Sequence, residues 1–381
     1  MRIVCFNHSV AADWNHGNAH FLRGLMDALA RRGHETVSAE PVGGWSLRNL
    51  VEDAGAEPIV RFARTFPDIA IETYDPDGAD LPDRLAELVR GAELVLVHEW
   101  TEGRVVAELG RLRSAQGGVF LYHDTHHRAV SQPDVMGALP LGGFDGVLAF
   151  GDSLRRVYQR RDDVRQAWTL HEAADVPHFH PLDRPDDCDV VWIGNWGDDE
   201  RSDELRDYWV DSARALPDLR WLAYGTRYPA DALREIEAAG IRFGGWAPSL
   251  EVPELFARAR LTLHIPRRLY VERLPGIPTI RIFEALACGV PLICTPWRDA
   301  EALFRPGDYA TVDSPAAMRD AIRRLAADED ARMRQAERGL ETILARHTCD
   351  HRANELLEIH AGLGRAGAGG AARADSIEVR G

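Results

Sequence analysis

Hydrophobic and polar positions follow two kinds of pattern along most of the chain. Short runs rich in β-branched and aromatic residues predict buried strands, and the stretches between them place apolar residues at helical spacing. In the first half, strands are predicted at 2–8, 93–98, 118–123 and 146–150, and helices at 18–32, 81–90, 102–114 and 153–161. Strands that alternate with helices predict an α/β protein with a mostly parallel, doubly wound sheet.

The same architecture recurs after a polar run with three prolines, PHFHPLDRPDDCD at 177–189, which predicts a linker. Strands are then predicted at 190–193, 220–224, 241–243, 261–265 and 290–294, with helices starting near 202, 252 and 279. The pattern after Pro315 is helical to about Leu363, and the Gly/Ala-rich tail 364–381 predicts disorder. We therefore expect two Rossmann-like domains, 1–176 and 190–345, whose strand ends face one cleft.

Composition narrows the class of protein. The formal charge of −15 over 381 residues argues against a nucleic-acid partner. Every basic residue is arginine, so lysine chemistry is excluded and a phosphate must be held by arginine or backbone. The five cysteines form no CxxC pair, which disfavours a cysteine zinc site. With no long apolar run and no signal-like start, we expect a cytoplasmic protein without a transmembrane segment.

The segment PGIPTIRIFEALACGVPLICTP at 275–296 carries the clearest chemical signal. Pro278 and Thr279 predict a helix start, and Gly289 predicts the left-handed cap at its end. A helix N-terminus at the ligand edge of a sheet offers N–H groups to an anion. Arg281 can bind phosphate oxygens there, and Glu284 can accept hydrogen bonds from sugar hydroxyls.

This segment, with its FEALACGVP run, resembles the donor domain of GT-B glycosyltransferases, family 4 and especially the CgeB-like group. The resemblance extends in order of elements from NHGNAHFLRGLMDALARRGHE to the helical C-terminus. It implies a GT-B fold, a nucleoside diphosphate sugar as donor, no metal or other cofactor, and a final helix at 346–363 that packs back on the first domain. In the family, the residue at the position of Glu284 holds the ribose hydroxyls; a solvated glutamate at a helix start is the alternative.

The chain departs from the commoner family pattern at Gly276, where a second glutamate is usual. Gly276 and Ile277 could hold the sugar through their backbone, or the loop residues Arg267, Arg268 and Glu272 could reach it. For the two arginines, an exposed basic pair is the alternative to a phosphate site.

The run IGNWGDDER places Gly194 and Asn195 between a strand and a helix, where the backbone could approach a pyrophosphate. Related enzymes carry a basic residue at the position of Arg201, although a salt-bridged surface loop is an equal alternative. Trp246 matches a loop that receives the base in similar proteins, and a core position is its alternative.

Histidines are concentrated at strand ends of the first half. The resemblance gives His123 a contact with the transferred sugar, with Asp124 and His126 beside it as candidate catalytic residues. The candidate acceptor side consists of His16, Gly17, His98, Glu99, His171 and Glu172. A divalent metal held by this histidine cluster, which includes His127, is the competing hypothesis.

These observations predict a glycosyltransferase that moves a sugar to a hydroxyl-type acceptor, with retention implied by the resemblance alone. The alternatives are a GT-B epimerase or phosphorylase, a metal-dependent hydrolase and a noncatalytic sugar-nucleotide-binding protein. The sequence does not identify the base, sugar, acceptor or oligomeric state.

Overall fold

A computed structural model describes residues 1–185 and 187–374, which form two parallel β-sheets. The first sheet has seven strands in the order β3-β2-β1-β4-β5-β6-β7, and the second has six in the order β10-β9-β8-β11-β12-β13. The strands are β1 Arg2–Phe6, β2 Glu35–Pro41, β3 Ile69–Tyr74, β4 Leu94–His98, β5 Val119–Asp124, β6 Gly146–Ala149, β7 Ala167–Thr169, β8 Cys188–Ile193, β9 Trp221–Tyr224, β10 Ile241–Phe243, β11 Ala259–His264, β12 Leu292–Cys294 and β13 Ala310–Thr311.

Helices connect the strands and cover both sheets. They are α1 Ala19–Ala30, α2 Trp45–Ala54, α3 Glu57–Thr65, α4 Leu81–Leu88, α5 Gly103–Gln116, α6 Arg128–Ser131, α7 Pro133–Gly137, α8 Asp152–Tyr158, α9 Ser202–Glu204, α10 Asp211–Ala215, α11 Ala230–Ala238, α12 Val252–Ala257, α13 Arg268–Glu272, α14 Ile280–Ala287, α15 Pro315–Ala327, α16 Glu329–Arg346 and α17 Cys349–Ala374. A π-helical stretch, Leu205–Val210, joins α9 to α10.

Each sheet reverses its strand order at one point, between β1 and β4 in the first and between β8 and β11 in the second. Ligands of doubly wound sheets bind outside the carboxyl ends of the strands at such points. The loops that follow these four strands are therefore the structural frame of the candidate site.

The two halves share apolar packing. One continuous buried cluster contains Phe21 of α1, Ala174 of the connecting segment and Phe283 of α14. At the C-terminus, α17 packs against α1, where Arg32 forms an ion pair of 2.5 Å with Asp350. Gly24 permits this approach, because a Cβ at that position would lie 2.6 Å from Cys349 Sγ.

Several elements differ from the sequence-based expectation. Strands β2, β3, β7 and β13 were not predicted. β3 buries only its first and last residues, and β7 and β13 are very short, so these three have no strong apolar pattern. β2 buries five residues, but three of them, Thr36, Ser38 and Glu40, are polar, so its sequence does not have the apolar pattern of a strand. Strand β8 begins at Cys188, within the predicted linker. Helix α17 continues past Leu363 to Ala374, although disorder was expected from 364, because alanine in this stretch favours helix; residues 375–381 lie outside the described part.

Within residues 1–185 and 187–374, no helix combines the length and apolar character that crossing a membrane requires.

Candidate functional site

A cavity of about 240 Å³ lies where the loops of the two switch points meet. Its walls come from both halves of the chain. The first half contributes the loop after β1, and the second half contributes the loops after β8 and β11 together with the start of α14. The lining includes Asn15, His16, Gly17, Trp192, Gly194, Asn195, Arg201, Trp246, His264, Arg267, Tyr270, Thr279, Arg281 and Glu284.

Glu284 lies on α14 with only 2 % of its surface exposed, although it borders the cavity. Burial raises the pKa of its carboxyl to about 7, and the neighbouring Arg281 guanidinium opposes this rise. Arg281, one turn earlier, forms an ion pair with the carboxylate. The predicted pairing of these two residues at one wall is therefore present, with the carboxyl held in a poorly solvated position.

Three arginines, Arg201, Arg267 and Arg281, border the same cavity. Loss of solvent around the Arg201 guanidinium, together with the nearby Arg267, lowers the pKa of Arg201 to about 9. Even so, a group of that pKa remains charged at neutral pH. Three cations around so small a volume favour an anionic ligand with several oxygens.

Arg201 is held by neutral acceptors. Its guanidinium donates to Ile265 O at 3.0 Å and to Asn195 O at 2.7 Å, and it lies over the Trp192 ring at 5.2 Å. Among residues 1–185 and 187–374, no carboxylate lies within ion-pair distance of it, and its Nε has no hydrogen-bond partner. Its charge is therefore available to a ligand.

The glycine loop after β8 has a different use from the expected one. Gly197 has φ of +87°, and a Cβ there would lie 2.5 Å from Arg201 Nε. A Cβ at position 194 would likewise lie 3.4 Å from Arg201 Nη2. The space left by both glycines is filled by Arg201, so the loop seats the guanidinium beside the cavity.

The two arginines after β11, Arg267 and Arg268, point in different directions. Arg267 points to the cavity, where it donates to Asn195 Oδ1 at 3.3 Å and pairs with Glu200. Arg268 starts α13 and does not border the cavity. Its guanidinium pairs with Glu204 at 2.6 Å and with Asp203 at 3.3 Å, which favours the alternative of a surface basic residue over the predicted phosphate role.

The loop before α14 is only partly at the cavity. Thr279 borders it and hydrogen bonds His264 Nε2 at 2.8 Å. Gly276 has φ of +90° and donates its N–H to Arg298 O at 2.7 Å. Ile277 packs so closely on Gly151 that a Cβ at position 151 would lie 2.3 Å from Ile277 Cγ1. Ile277 thus serves the contact between the two halves. Gly276, Ile277 and Pro278 do not border the cavity in this arrangement, and their sugar-holding role stays a prediction.

The loop after β1 closes the cavity from the first half. Asn15, at φ of +49°, accepts hydrogen bonds from Asn195 Nδ2 at 3.0 Å and from Thr226 Oγ1 at 3.3 Å. His16 and Gly17 follow it, and the buried His16 Nε2 has no hydrogen-bond partner. A polar atom with no partner beside a cavity is a candidate ligand contact.

The predicted catalytic residues lie deeper in the first half. Asp124 accepts hydrogen bonds from the Tyr158 hydroxyl at 2.5 Å and from the His126 backbone at 2.9 Å. Burial raises its pKa to about 8. Asp124 is therefore held by internal hydrogen bonds and does not border the cavity, so this arrangement gives its predicted catalytic role no support.

His123 and His126 do not border the cavity either. Burial lowers the pKa of His123 to about 3, and its Nε2 has no hydrogen-bond partner. His126 lies against Trp100 with ring centroids 5.3 Å apart. Within the predicted trio, His123 Nε2 and His126 Nδ1 are both buried without a hydrogen-bond partner, and His123 lies next to His98, whose ring is 5.8 Å away.

The two predicted His-Glu pairs differ in their surroundings. His98 Nε2 lies 2.9 Å from Glu99 Oε2, and burial raises the Glu99 pKa to about 8. His171 is turned to Phe150 O at 2.9 Å and to Glu301 Oε2 at 3.0 Å, away from the cavity. The buried Glu172 accepts the Ile280 N–H at the start of α14, and burial raises its pKa well above the ordinary range.

The competing metal hypothesis is not supported by this arrangement. No three His, Cys, Asp or Glu side chains converge on a point that could hold a metal ion in the parts of the chain that the structure describes.

Sequence reasoning missed Asn15, His264 and Tyr270 as cavity residues. His264 ends β11 next to the predicted arginines, so its position at a strand terminus was a usable signal. Tyr270 and Asn15 reach the cavity through α13 and through a left-handed backbone, which local pattern does not reveal.

Comparison with known proteins supports the same interpretation. Residues 202–358 match a protein family described as glycosyl transferase-like. A search with the sequence among curated proteins returned no match.

Similar solved structures share the whole architecture. Sucrose-phosphate synthase from Thermosynechococcus elongatus is 16 % identical, with a TM-score of 0.66, and the match covers 96 % of this chain and 100 % of that one. Anabaena HepE in complex with UDP and glucose is 13 % identical, with a TM-score of 0.66 over 95 % and 99 % of the two chains. An alpha-glucosyltransferase in complex with UDP-glucose and DNA is also 13 % identical, with a TM-score of 0.65 over 95 % and 99 %. The chain therefore has the GT-B fold of glycosyltransferases.

Proposed function

We propose that the protein is a glycosyltransferase that moves a sugar from a nucleoside diphosphate sugar to a hydroxyl of an acceptor, with retention of anomeric configuration. One observation carries the proposal: Arg201, Arg267 and Arg281 surround the same small cavity that Glu284 borders. Three cations suit a diphosphate, and a buried carboxylate suits the paired hydroxyls of a ribose.

In the proposed complex, the diphosphate binds between Arg201 and Arg281, and Glu284 accepts from the ribose hydroxyls. Trp246, which borders the cavity on the loop after β10, stacks with the base. Because two of the similar structures hold UDP or UDP-glucose, we take uridine diphosphate as the first donor nucleotide to test.

During transfer, the bond between the anomeric carbon and the β-phosphate oxygen breaks, and the acceptor oxygen bonds to that carbon while its proton is released. Negative charge accumulates on the departing diphosphate. Fixed guanidinium groups stabilise that charge more in the transition state than in the bound donor, which accelerates the reaction. The proposed chemistry thus draws its positive charge from arginine, and His16, Gly17 and His123 lie on the acceptor side.

The proposal is tested by thermal shift and calorimetry with a panel of nucleoside diphosphates and their sugars. We expect at least one diphosphate to stabilise the protein. Glu284→Gln should weaken its binding by about 10²-fold, because two charge-assisted hydrogen bonds are each worth roughly 1.5–3 kcal/mol. The exposed Glu272→Gln is the matched control and should bind normally.

A protein that binds no nucleoside diphosphate would contradict the proposal. Dependence on an acceptor gives a further check: release of the nucleotide from a donor sugar should require an added hydroxyl acceptor. Conversion of the donor without one would instead indicate an epimerase, and binding without any turnover would indicate a sensor.

A further inference from the structure

His20 of α1 touches the carboxylate to which the proposed function assigns the ribose. Its Nδ1 lies 3.3 Å from Glu284 Oε1, and both side chains are almost fully buried. His20 belongs to the first half and Glu284 to the second, so this contact crosses between them. Nothing in the sequence pattern distinguishes His20 from the other core residues of α1.

The tautomer of His20 follows from its other nitrogen. Nε2 accepts the backbone N–H of Asp175 at 3.0 Å, so it carries no proton. Burial, together with Arg281 and Arg23, keeps the pKa of the ring well below its ordinary value, so the ring is neutral. A neutral ring whose Nε2 is an acceptor must carry its proton on Nδ1. Nδ1 has no hydrogen-bond partner in this structure. Glu284 Oε1 lies 3.3 Å from it, close enough to accept this N–H after a small rotation, although the present geometry falls outside that of a hydrogen bond.

The position of the ring is fixed by the segment that connects the two halves. Asp175 lies in that segment, and its carboxylate pairs with His178 at 2.8 Å. One turn beyond His20, Gly24 brings α1 so close to Asp175 that a Cβ would lie 2.7 Å from the Asp175 Cβ. The ring edge also packs on Phe179, with centroids 3.9 Å apart. His20 is thus held between the connecting segment and Glu284.

We propose that His20 is a positioning residue for donor binding: its Nδ1–H orients Glu284 and favours the ionised carboxylate that accepts from the nucleotide. The proposal rests on the proposed function, because it assigns His20 a role in the same donor site. His20 itself does not border the cavity, so it acts through Glu284 rather than on the ligand.

The charge state of Glu284 makes this role measurable. Burial raises its pKa to about 7, Arg281 lowers it, and Asp13 raises it. Glu172 and Cys288 also face the carboxyl, and burial raises the pKa of each side chain well above its ordinary value. A ligand that needs the carboxylate should therefore bind more tightly as the pH rises through about 7. A donor N–H at His20 favours the ionised form, so its loss should move that midpoint to higher pH.

Two substitutions separate the two nitrogens of the ring. Asn places an amide N–H₂ near the position of Nδ1 and can donate to Glu284. Gln places its amide near Nε2, where it can accept from the Asp175 N–H, but it leaves Glu284 without its donor. The pair therefore distinguishes a role at Glu284 from a role in holding the connecting segment.

The experiment measures the affinity of uridine diphosphate by calorimetry for wild type, H20N and H20Q across pH 6–8.5. If another nucleoside diphosphate proves to be the tighter ligand of wild type, it replaces uridine diphosphate as the probe. We expect H20Q to bind about tenfold more weakly near neutral pH, as for loss of one charge-assisted hydrogen bond. Its pH midpoint should move upward, whereas H20N should keep the wild-type midpoint. H178Q perturbs the same connecting segment without touching Glu284, so it should also keep the wild-type pH midpoint.

Equal losses in H20N and H20Q with an unchanged pH midpoint would overturn the proposal and indicate a structural role only. A wild-type affinity in H20Q would overturn it as well. Failure of the proposed function gives a different result, because wild type itself would then bind no nucleoside diphosphate. Thermal unfolding of each variant identifies any that fail to fold, and H20N then carries the comparison with wild type.

Discussion

The two sheet edges that face each other across the cavity have the same architecture and opposite electrostatics. The edge of the second half presents arginines, and even the buried Arg201 keeps a pKa of about 9. The edge of the first half presents histidines such as His98 and His123, whose pKa values burial lowers to about 3. Both sets of residues lose solvent, but only arginine starts far enough above neutral pH to stay charged.

This comparison explains why the arginine edge suits an anion and the histidine edge does not. Buried carboxyls on the first edge behave in the complementary way: burial raises the pKa of Glu99 and of Asp124 to about 8, so both are largely protonated at neutral pH. The first edge is thus nearly uncharged despite its many titratable groups. This difference in charge fits the proposed function, in which the first edge binds an uncharged acceptor and the second edge binds the charged donor.

The largest expected effect comes from the histidine edge. His123→Ala should leave the affinity for uridine diphosphate unchanged, because His123 does not border the cavity. It should lower turnover by about 10²-fold: the ring is neutral, so its unpartnered Nε2 acts through one hydrogen bond to the charged transition state, worth roughly 1.5–3 kcal/mol, and not as an acid or a base. Steady-state kinetics and calorimetry on the same preparation test both halves of this expectation. An equal loss of nucleotide binding would show that the two edges do not divide their roles in this way.

The arginine edge gives the next largest effect. Arg201→Leu should weaken binding of uridine diphosphate by about tenfold or more, since it removes a buried cation with no carboxylate partner among the described residues. Arg268→Leu removes a cation that is already paired with Glu204 and Asp203, and it should bind normally. Calorimetry at two salt concentrations compares the two variants. Similar losses in both would contradict the placement of Arg268 away from the site.

The most gradual effect is the dependence of stability on pH. The pKa of Glu99 is about 8 in the folded chain, against an ordinary value of 4.5, so the folded state holds a proton that the unfolded state has lost. Its contribution to stability is therefore full at low pH and is lost as pH rises through about 8. Between pH 4.5 and about 8, the free energy of unfolding of wild type should therefore fall, relative to that of Glu99→Gln, by up to about 1.4 kcal/mol per pH unit.

Urea unfolding at two pH values within this range, for wild type and Glu99→Gln, measures this difference. Glu358→Gln, on an exposed position of α17, is the matched control. A difference between wild type and Glu99→Gln that does not change with pH would show that Glu99 is ionised in the folded protein, which would reverse the assignment of an uncharged first edge.

Sequence pattern predicted the fold better than it predicted the site. The two doubly wound sheets follow from strongly apolar strands such as β4 and β8, whereas β3 and β13 were missed because exposed or very short strands have no apolar pattern. Motif spacing placed Arg281 and Glu284 at the cavity, because both depend on one helix whose start and end are encoded locally. Arg268 and Asp124, which were also predicted for the site, do not border the cavity. Each pairs with a residue distant in sequence, Glu204 and Tyr158, and such pairings follow only from the tertiary fold.

The stacking of Arg201 on Trp192 gives the site an optical property. An indole with a cation over its ring, at 5.2 Å here, is sensitive to any change in the distance or charge of that cation. A ligand that draws the Arg201 guanidinium toward itself should therefore alter the fluorescence of Trp192. Since the chain contains ten tryptophans, the difference between wild type and Trp192→Phe isolates this signal. Arg201 thus brings with it an intrinsic, label-free reporter of occupancy.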